Sequence, residues 1–177
     1  MTVARDYAKA LFMLTEELGT TEEVKDDVTV CRKVFLENPS YLTLTDTPAL
    51  ALSEKLSLVD EAFSGIDTSV CNLIKILCEK HSVHLFPELA KEYLAFYNEA
   101  RGICTAEVIS AVPLSESQLE SIKAKLRSMT GKTVVLNNKI DNEVLGGIKL
   151  RYMGIQLDGS LKSRLDSIEK GLKNTIL

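Results

Sequence analysis

Apolar positions along the first hundred residues recur at steps of three and four, the spacing of helices with one face turned inward. Val3, Tyr7, Leu11, Leu14 and Leu18 form the first such stripe, widened by Ala4, Ala8, Phe12 and Met13 into a surface apolar on nearly all sides. The pattern predicts a helix over Ala4–Leu18, stopped by Gly19. Thr20-x-x-Glu23 has the spacing of a capping box for a second helix, with Val24, Val28, Cys31 and Phe35 inward. Asn38-Pro39 closes it, because the residue before proline is pushed out of the helical region. A short piece around Tyr41, Leu42 and Leu44 follows. Thr47-Pro48 then reads as cap and first-turn proline of a helix that firms up near Ser53 and carries Leu52, Leu56, Val59 and Phe63. After a Gly65-Ile66-Asp67 linker, Val70, Leu73, Ile74 and Leu77 mark a fifth, strongly apolar helix from Ser69. His81-Ser82-Val83-His84 breaks it, and Phe86-Pro87 opens a long helix carrying Leu89, Tyr93, Phe96, Ala100 and Ile103.

Beyond Gly102 the period shortens to two. Glu107–Val112 is a β-branched run ended by Pro113. Ser115-x-x-Gln118 is a second capping box, for a helix with Leu119, Ile122, Leu126 and Met129 inward and Gly131 at its end. Thr133–Leu136 reads as a strand, Asn137-Asn138 as a turn, and Ile140 as the approach to a glycine pair. Ile148, Leu150 and Tyr152 alternate with Lys149 and Arg151, the script of a half-buried strand. Met153-Gly154 turns the chain, Ile155 and Leu157 flank Gln156 in a second short strand, and Asp158-Gly159-Ser160 ends the extended part. Leu161, Leu165, Ile168 and Leu172 then return to helical spacing. The expected fold is α+β in two domains: a helical bundle over 1–105 and a small α/β module over 106–177.

Composition narrows the function classes. The 177 residues are 45% hydrophobic and 26% charged, enough to bury a core. No apolar run reaches the roughly 18 residues that a membrane span needs, and the charged amino end reads as a helix start rather than a signal peptide. A reducing compartment is therefore expected, with Cys31, Cys71, Cys78 and Cys104 as buried free thiols; none forms Cys-x-x-Cys. Residues 1–105 carry ten Lys/Arg against seventeen Asp/Glu, and residues 106–177 carry eleven against eight. Neither half has the dense basic stripe that nucleic-acid phosphates require. The asymmetry instead suggests modules facing different partners.

Each candidate for chemistry has a plainer reading. Gly146-Gly147 precedes a strand, so no helix N-terminus faces a phosphate there, and a turn or bulge is the better account. Gly131-Lys132-Thr133 resembles the end of a phosphate loop but lacks the upstream glycine and the following helix. Asp158 and Ser160 read as a turn and helix cap rather than base and nucleophile. His81 and His84, three apart at a helix boundary, read as surface or capping residues rather than metal ligands. Lys162 and Arg164 flank Leu161 and Leu165 on a helix that is either solvated or partner-facing. No metal, cofactor, small-molecule substrate or catalytic residue is expected. What remains is packing surface: the first and fifth helices either lie in the middle of the bundle or leave a groove for a further helix.

Two stretches at opposite ends resemble one known family. Ala4-Arg5-Asp6-Tyr7-Ala8-Lys9-Ala10-Leu11-Phe12 is similar to its opening signature, and Gly146-Gly147 followed by alternating strands and Asp158-Gly159-Ser160-Leu161-x-x-x-Leu165 to its second. The family is the delta subunit of bacterial and chloroplast F-type ATP synthases, called the oligomycin-sensitivity-conferring protein in mitochondria. The resemblance implies a six-helix N-terminal domain that binds the amino-terminal helix of an alpha subunit, and a C-terminal domain that meets the ends of the b subunits. It implies a non-catalytic stator clamp in the peripheral stalk of a proton- or sodium-driven synthase, on the cytoplasmic face of a bacterial plasma membrane or the stromal face of a thylakoid. It places the alpha-subunit groove between the first and fifth helices, with Tyr7, Leu11, Leu14, Leu73, Ile74 and Leu77 in or directly beneath it. It makes Gly146, Gly147, Asp158, Ser160, Leu161, Lys162, Arg164 and Leu165 the C-terminal motif, with b-subunit contact expected there. Met153-Gly154, where relatives have glycine then aspartate, and His81-Ser82, where relatives place basic residues, depart from the pattern. The rival readings are a small soluble enzyme built on the C-terminal module and a helical adaptor outside the synthase.

Overall fold

The computed structural model describes residues 2–142, 144 and 146–159. It divides into two compact units, Met1–Tyr97 and Asn98–Leu177. Six α-helices and a 3-10 turn precede the first strand: α1 (Val3–Leu18), α2 (Thr21–Glu37), α3 (Pro39–Asp46), α4 (Leu52–Ala62), α5 (Thr68–Glu79), the turn Val83–Leu85, and α6 (Phe86–Ala100). The second unit adds β1 (Ile103–Ser110), α7 (Glu116–Thr130), β2 (Thr133–Ile140), β3 (Ile148–Tyr152) and β4 (Ile155–Asp158). The architecture is α+β, as expected.

The stripes read from the sequence become the core of the helical unit. Val24, Val28, Cys31 and Phe35 of α2 and Val70, Ile74, Leu77 and Cys78 of α5 are completely enclosed, with Phe86, Leu89 and Tyr93 of α6. Phe35 packs against Phe86 at 5.0 Å and Phe63 at 5.5 Å between ring centres. The enclosed Tyr93 hydroxyl meets Thr15 Oγ1 at 3.0 Å, so both buried hydroxyls are satisfied.

The helix ends differ from expectation in instructive ways. Thr20 does not cap α2. The amides of Gly19 and Thr20 are taken by the end of α1, donating to Glu16 and Thr15 carbonyls. Thr20 thereby sits at ψ 13, outside the extended region a cap needs. Its hydroxyl is buried without a hydrogen-bond partner. Pro39 opens α3 instead of merely closing α2. Thr47 ends α3 rather than capping α4, which begins at Leu52, beside the Ser53 where the sequence has it firm up. Asp67, read as linker, caps α5 by accepting the Ser69 amide at 2.7 Å, while Asp27 of α2 accepts the Asp67 amide at 2.7 Å.

At the far end of α5, His81 adopts a left-handed conformation, φ 51. The Ser82 amide reaches back to Leu77 O at 2.9 Å, a helix stop usually made with glycine. His81 and His84 both meet Asp46, through its carbonyl and its carboxylate respectively, and that carboxylate also accepts the Val83 amide. The histidines tie the end of α3 to the turn before α6. Lys55, buried on α4, places Nζ 3.3 Å from His81 Nδ1.

In the second unit the strand order is β2-β1-β3-β4, with β1 and β2 parallel and the other pairs antiparallel. α7 is the crossover between the parallel pair and carries the expected capping box, Ser115 N to Gln118 Oε1 at 2.9 Å and Gln118 N to Ser115 Oγ at 3.3 Å. Two boundaries move. β1 starts at Ile103, read from sequence as part of the preceding helix, and β2 runs straight through Asn137-Asn138. Both follow from the ladder pairing Ile103 with Thr133 and Ser110 with Ile140, which gives the asparagine backbones partners that no local propensity foretells.

One sheet face, with Cys104, Ala106, Val134 and Tyr152, packs on Leu126 of α7. The other bears a polar ladder in which Arg151 reaches Glu107 at 3.4 Å and Gln156 at 3.1 Å. Met153 and Gly154 both take positive φ, 48 and 79, giving the two-residue turn that suits strand twist.

Two predictions follow from this packing. Burial lifts the Cys31 thiol from 9.0 to about 12 and the Tyr41 phenol from 10.0 to about 12. The fold holds both acids neutral, so the unfolded chain loses those protons first. Their stabilising effect is whole below about pH 9 and lost as pH climbs toward about 12. The urea midpoint of the helical unit should therefore fall on going from about pH 9 to about pH 11, less steeply in Cys31→Val. Met153→Asn, which tolerates the left-handed turn better, should stabilise the second unit by up to about 1 kcal/mol; an unchanged thermal midpoint would contradict the turn geometry.

Candidate functional site

The side of α1 that enters the core is narrow: Ala4, Ala8, Leu11 and Thr15 are buried, and of these only Leu11 is large. Tyr7 and Phe12 are half-buried against the core, and other large apolar side chains of the helix are left in water. Val3 is 59% exposed, Leu14 43% and Leu18 58%. With Tyr7 and Leu11, these residues continue one stripe along the helix, about 22 Å at 1.5 Å per residue.

α5 lies alongside. Between the two helices runs a furrow of about 370 Å³, lined by Tyr7, Ala10, Leu11 and Leu14 from α1 and by Thr68, Ser69, Asn72, Leu73 and Ile76 from α5. Its floor includes Leu11 and Leu73, nearly buried, and its rims carry Leu14 and Ile76, the latter 44% exposed. No charged side chain is among these lining residues. A long apolar trough between helices can seat another helix by its apolar stripe. An exposed, continuous apolar strip of this kind is what a water-soluble monomer usually avoids.

Four of the six residues expected in or beneath a groove line this one: Tyr7, Leu11, Leu14 and Leu73. Ile74 and Leu77 do not reach it, since both are fully enclosed in the core. Sequence reading missed Ala10, Thr68, Ser69, Asn72 and Ile76. The signal was present at Ser69, Asn72 and Ile76, spaced three and four apart on one side of α5, but the dominant apolar stripe of that helix is the core-facing one. The first helix is thus not central in the bundle, whereas the fifth very nearly is.

The C-terminal motif is only partly within the described residues. Gly146 and Gly147 take φ 71 and 77 in the connection leading into β3, and no helix follows them directly. Asp158 closes β4 with its carboxylate 3.6 Å from Lys149 Nζ. Ser160, Leu161, Lys162, Arg164 and Leu165 lie outside the described residues, as does the helical stripe expected after them. Beside α7, among the described residues, a largely apolar cavity of about 230 Å³ is lined by Ile122, Lys125, Leu126 and Met129 of that helix and by Ile148, Leu150, Leu157 and Gly159. Both histidines belong to the helical unit.

The cysteines are free thiols. Cys71 is half-buried rather than enclosed, and burial raises the Cys71 and Cys78 thiols as it does Cys31. A raised thiol carries little thiolate near neutrality. Among the described residues no group of His, Cys, Asp and Glu is placed to hold a metal ion, and no helix is long and apolar enough to cross a membrane.

Comparison with known proteins covers nearly the whole chain. Residues 3–172 match the family model described as ATP synthase delta (OSCP) subunit. The ATP synthase subunit delta of Priestia megaterium is 34% identical over 171 residues, spanning 96% of this chain and 94% of that one. That of Geobacillus sp. is 32% identical over 171 residues, spanning 96% of each. Among solved structures, a chain of the Toxoplasma gondii mitochondrial ATP synthase hexamer superposes with a TM-score of 0.79 over 97% of this chain and 98% of that chain, at 22% identity, a likeness of fold.

Because Leu14 and Ile76 are rim residues, Leu14→Asp and Ile76→Asp should each change the stability of the helical unit by less than about 0.5 kcal/mol. Leu77→Ala, in the core, should cost about 2–5 kcal/mol. Urea unfolding followed by helical signal separates the two classes.

Proposed function

We propose, from the premise that the chain belongs to the ATP synthase delta (OSCP) subunit family, that its furrow holds the amino-terminal helix of an alpha subunit. The chain is a non-catalytic subunit of the peripheral stalk, and the reading of Asp158, Ser160 and Gly146-Gly147 as parts of an enzyme is set aside on that ground. So is an adaptor role outside the synthase. The finer assignment is ours. Residues 1–105 grip the catalytic head, and residues 106–177 meet the carboxyl ends of the b subunits. The whole acts as a clamp that keeps the head from turning with the rotor while protons or sodium ions flow. With bacterial relatives at about one-third identity, the position that fits is the cytoplasmic face of a plasma membrane.

The observation that carries this reading is the furrow between α1 and α5, where Leu14 and Ile76 stand exposed on facing rims above Leu11 and Leu73. A stationary clamp needs slow release more than fast capture. Apolar surface that sheds its water on contact supplies that, because most differences in affinity between related complexes reside in the dissociation rate. The occupant's shape follows from the furrow: walled by two helices and lined along about two helical turns of each, it suits the apolar stripe of an amphipathic helix. Nothing in such a grip requires a metal, a nucleotide or a substrate.

Calorimetric titration of the full chain with a peptide of the alpha-subunit amino terminus should show saturable binding. Leu14→Asp and Ile76→Asp should each weaken it more than about tenfold, a loss typical of anchor positions at interface centres. A folded chain that binds no such peptide, or two variants that bind it as well as the parent, would sink the proposal.

A further inference from the structure

Apolar contact has no direction along a trough. A helix whose stripe repeats every three to four residues could slide by one turn, about 5.4 Å, and bury nearly the same surface. A clamp that shares load among several contacts cannot tolerate that slack, so something must set the register. The furrow has one wall that is not uniformly apolar. On α5, Thr68, Ser69 and Asn72 line it beside Leu73 and Ile76.

Asn72 is the middle member of the outward row Ser69, Asn72, Ile76. Its side chain is exposed and makes no hydrogen bond to the described residues, although its amide both donates and accepts. Water satisfies it in the free chain. An occupant that covers it without offering a partner leaves a desolvated amide in an apolar contact, which is costly. A single buried asparagine in a helix–helix seam is a known way to fix alignment.

We propose that Asn72 is the register-setting residue of the furrow, and that it selects a docking helix whose apolar stripe is interrupted once by a neutral hydrogen-bonding side chain, Asn, Gln, Ser or Thr. This rests on the furrow being the seat of the alpha-subunit helix. The preference for a neutral partner follows from the lining, which offers an amide and the hydroxyls of Tyr7, Thr68 and Ser69 but no charge to pair with an ion. Lys75, the nearest cation in sequence, is committed to Asp60 of α4.

The test is a set of titrations on the full chain. The probes are the alpha-subunit amino-terminal peptide from the same organism and its variants with each neutral polar residue changed in turn to alanine. Asn72→Ala should weaken the parent peptide about five- to tenfold, the effect of one net hydrogen bond. One peptide variant should bind the parent chain weakly yet lose nothing further against Asn72→Ala, which marks the coupled pair. Asn72→Leu should also bind more weakly, although it adds apolar surface.

If Asn72→Leu binds more tightly, or if every peptide change is additive with Asn72→Ala, the register role is overturned and the furrow is simply apolar. Leu14→Asp keeps that failure distinct from failure of the seat itself. Weakened binding to Leu14→Asp leaves the furrow standing whatever Asn72 does, whereas unweakened binding removes both.

Discussion

A helix can hide only as much apolar surface as its neighbours can cover, and α1 carries more than its neighbours reach. Its buried side is a strip of alanines with Leu11 and Thr15, so it lies close to the bundle along a narrow line. Val3, Leu14 and Leu18 are left standing in water as a result. With each side chain about half exposed, this forgoes on the order of 1 kcal/mol apiece relative to full burial. A partner that covered those side chains would recover that stabilisation. The fifth helix makes the complementary choice: its apolar stripe is spent inward, and its outer row, Ser69, Asn72 and Ile76, is a mixed wall.

The rest of the helical unit reads as support for those two helices. Asp67 caps α5 while bonded to Asp27 of α2, which fixes where α5 begins. Tyr93 on α6 reaches Thr15 on α1, and Phe12 packs on Tyr93 and Phe96, which fixes how α1 lies. At the other end of α5 the chain stops on a left-handed His81 held by the backbone of Asp46. Rigid walls matter here because a groove that must first be ordered gives up part of its binding energy to do so. The second unit solves a different problem. A strand-helix-strand crossover with an added hairpin gives a sheet whose one face packs on α7 and whose other is a charged ladder. Neither face assembles a reactive pair among the described residues, in keeping with a family of non-catalytic subunits.

Much of this was legible in the sequence, and the part that was not has physical causes. Periodicity found the helices because burial enforces it: Val24, Val28, Cys31 and Phe35 are all enclosed. Capping was legible only where the geometry is local. Ser115 and Gln118 face each other within one turn and appear as read, whereas Thr20 fails because the end of α1 claims its amide first. Asn137 and Asn138 have turn chemistry, yet lie in a strand because β1 supplies a parallel partner thirty residues away. The family resemblance placed a groove between α1 and α5, in keeping with the excess of apolar residues on both helices; of the residues expected in or directly beneath it, Ile74 and Leu77 are enclosed in the core and do not line the furrow. A stripe count ranks faces by hydrophobicity, and the most hydrophobic face of a helix is the one its own fold has already used.

The claim on which the account turns is that the open trough between α1 and α5 is occupied in the assembled synthase. Placing a photo-activatable cross-linking residue at position 76 in the complete complex tests it directly, with position 30, exposed on α2 and outside the trough, as the control. The account predicts that position 76 joins to the amino-terminal segment of an alpha subunit and that position 30 does not. Capture of that segment equally from both positions, or from neither in an intact complex, would contradict it.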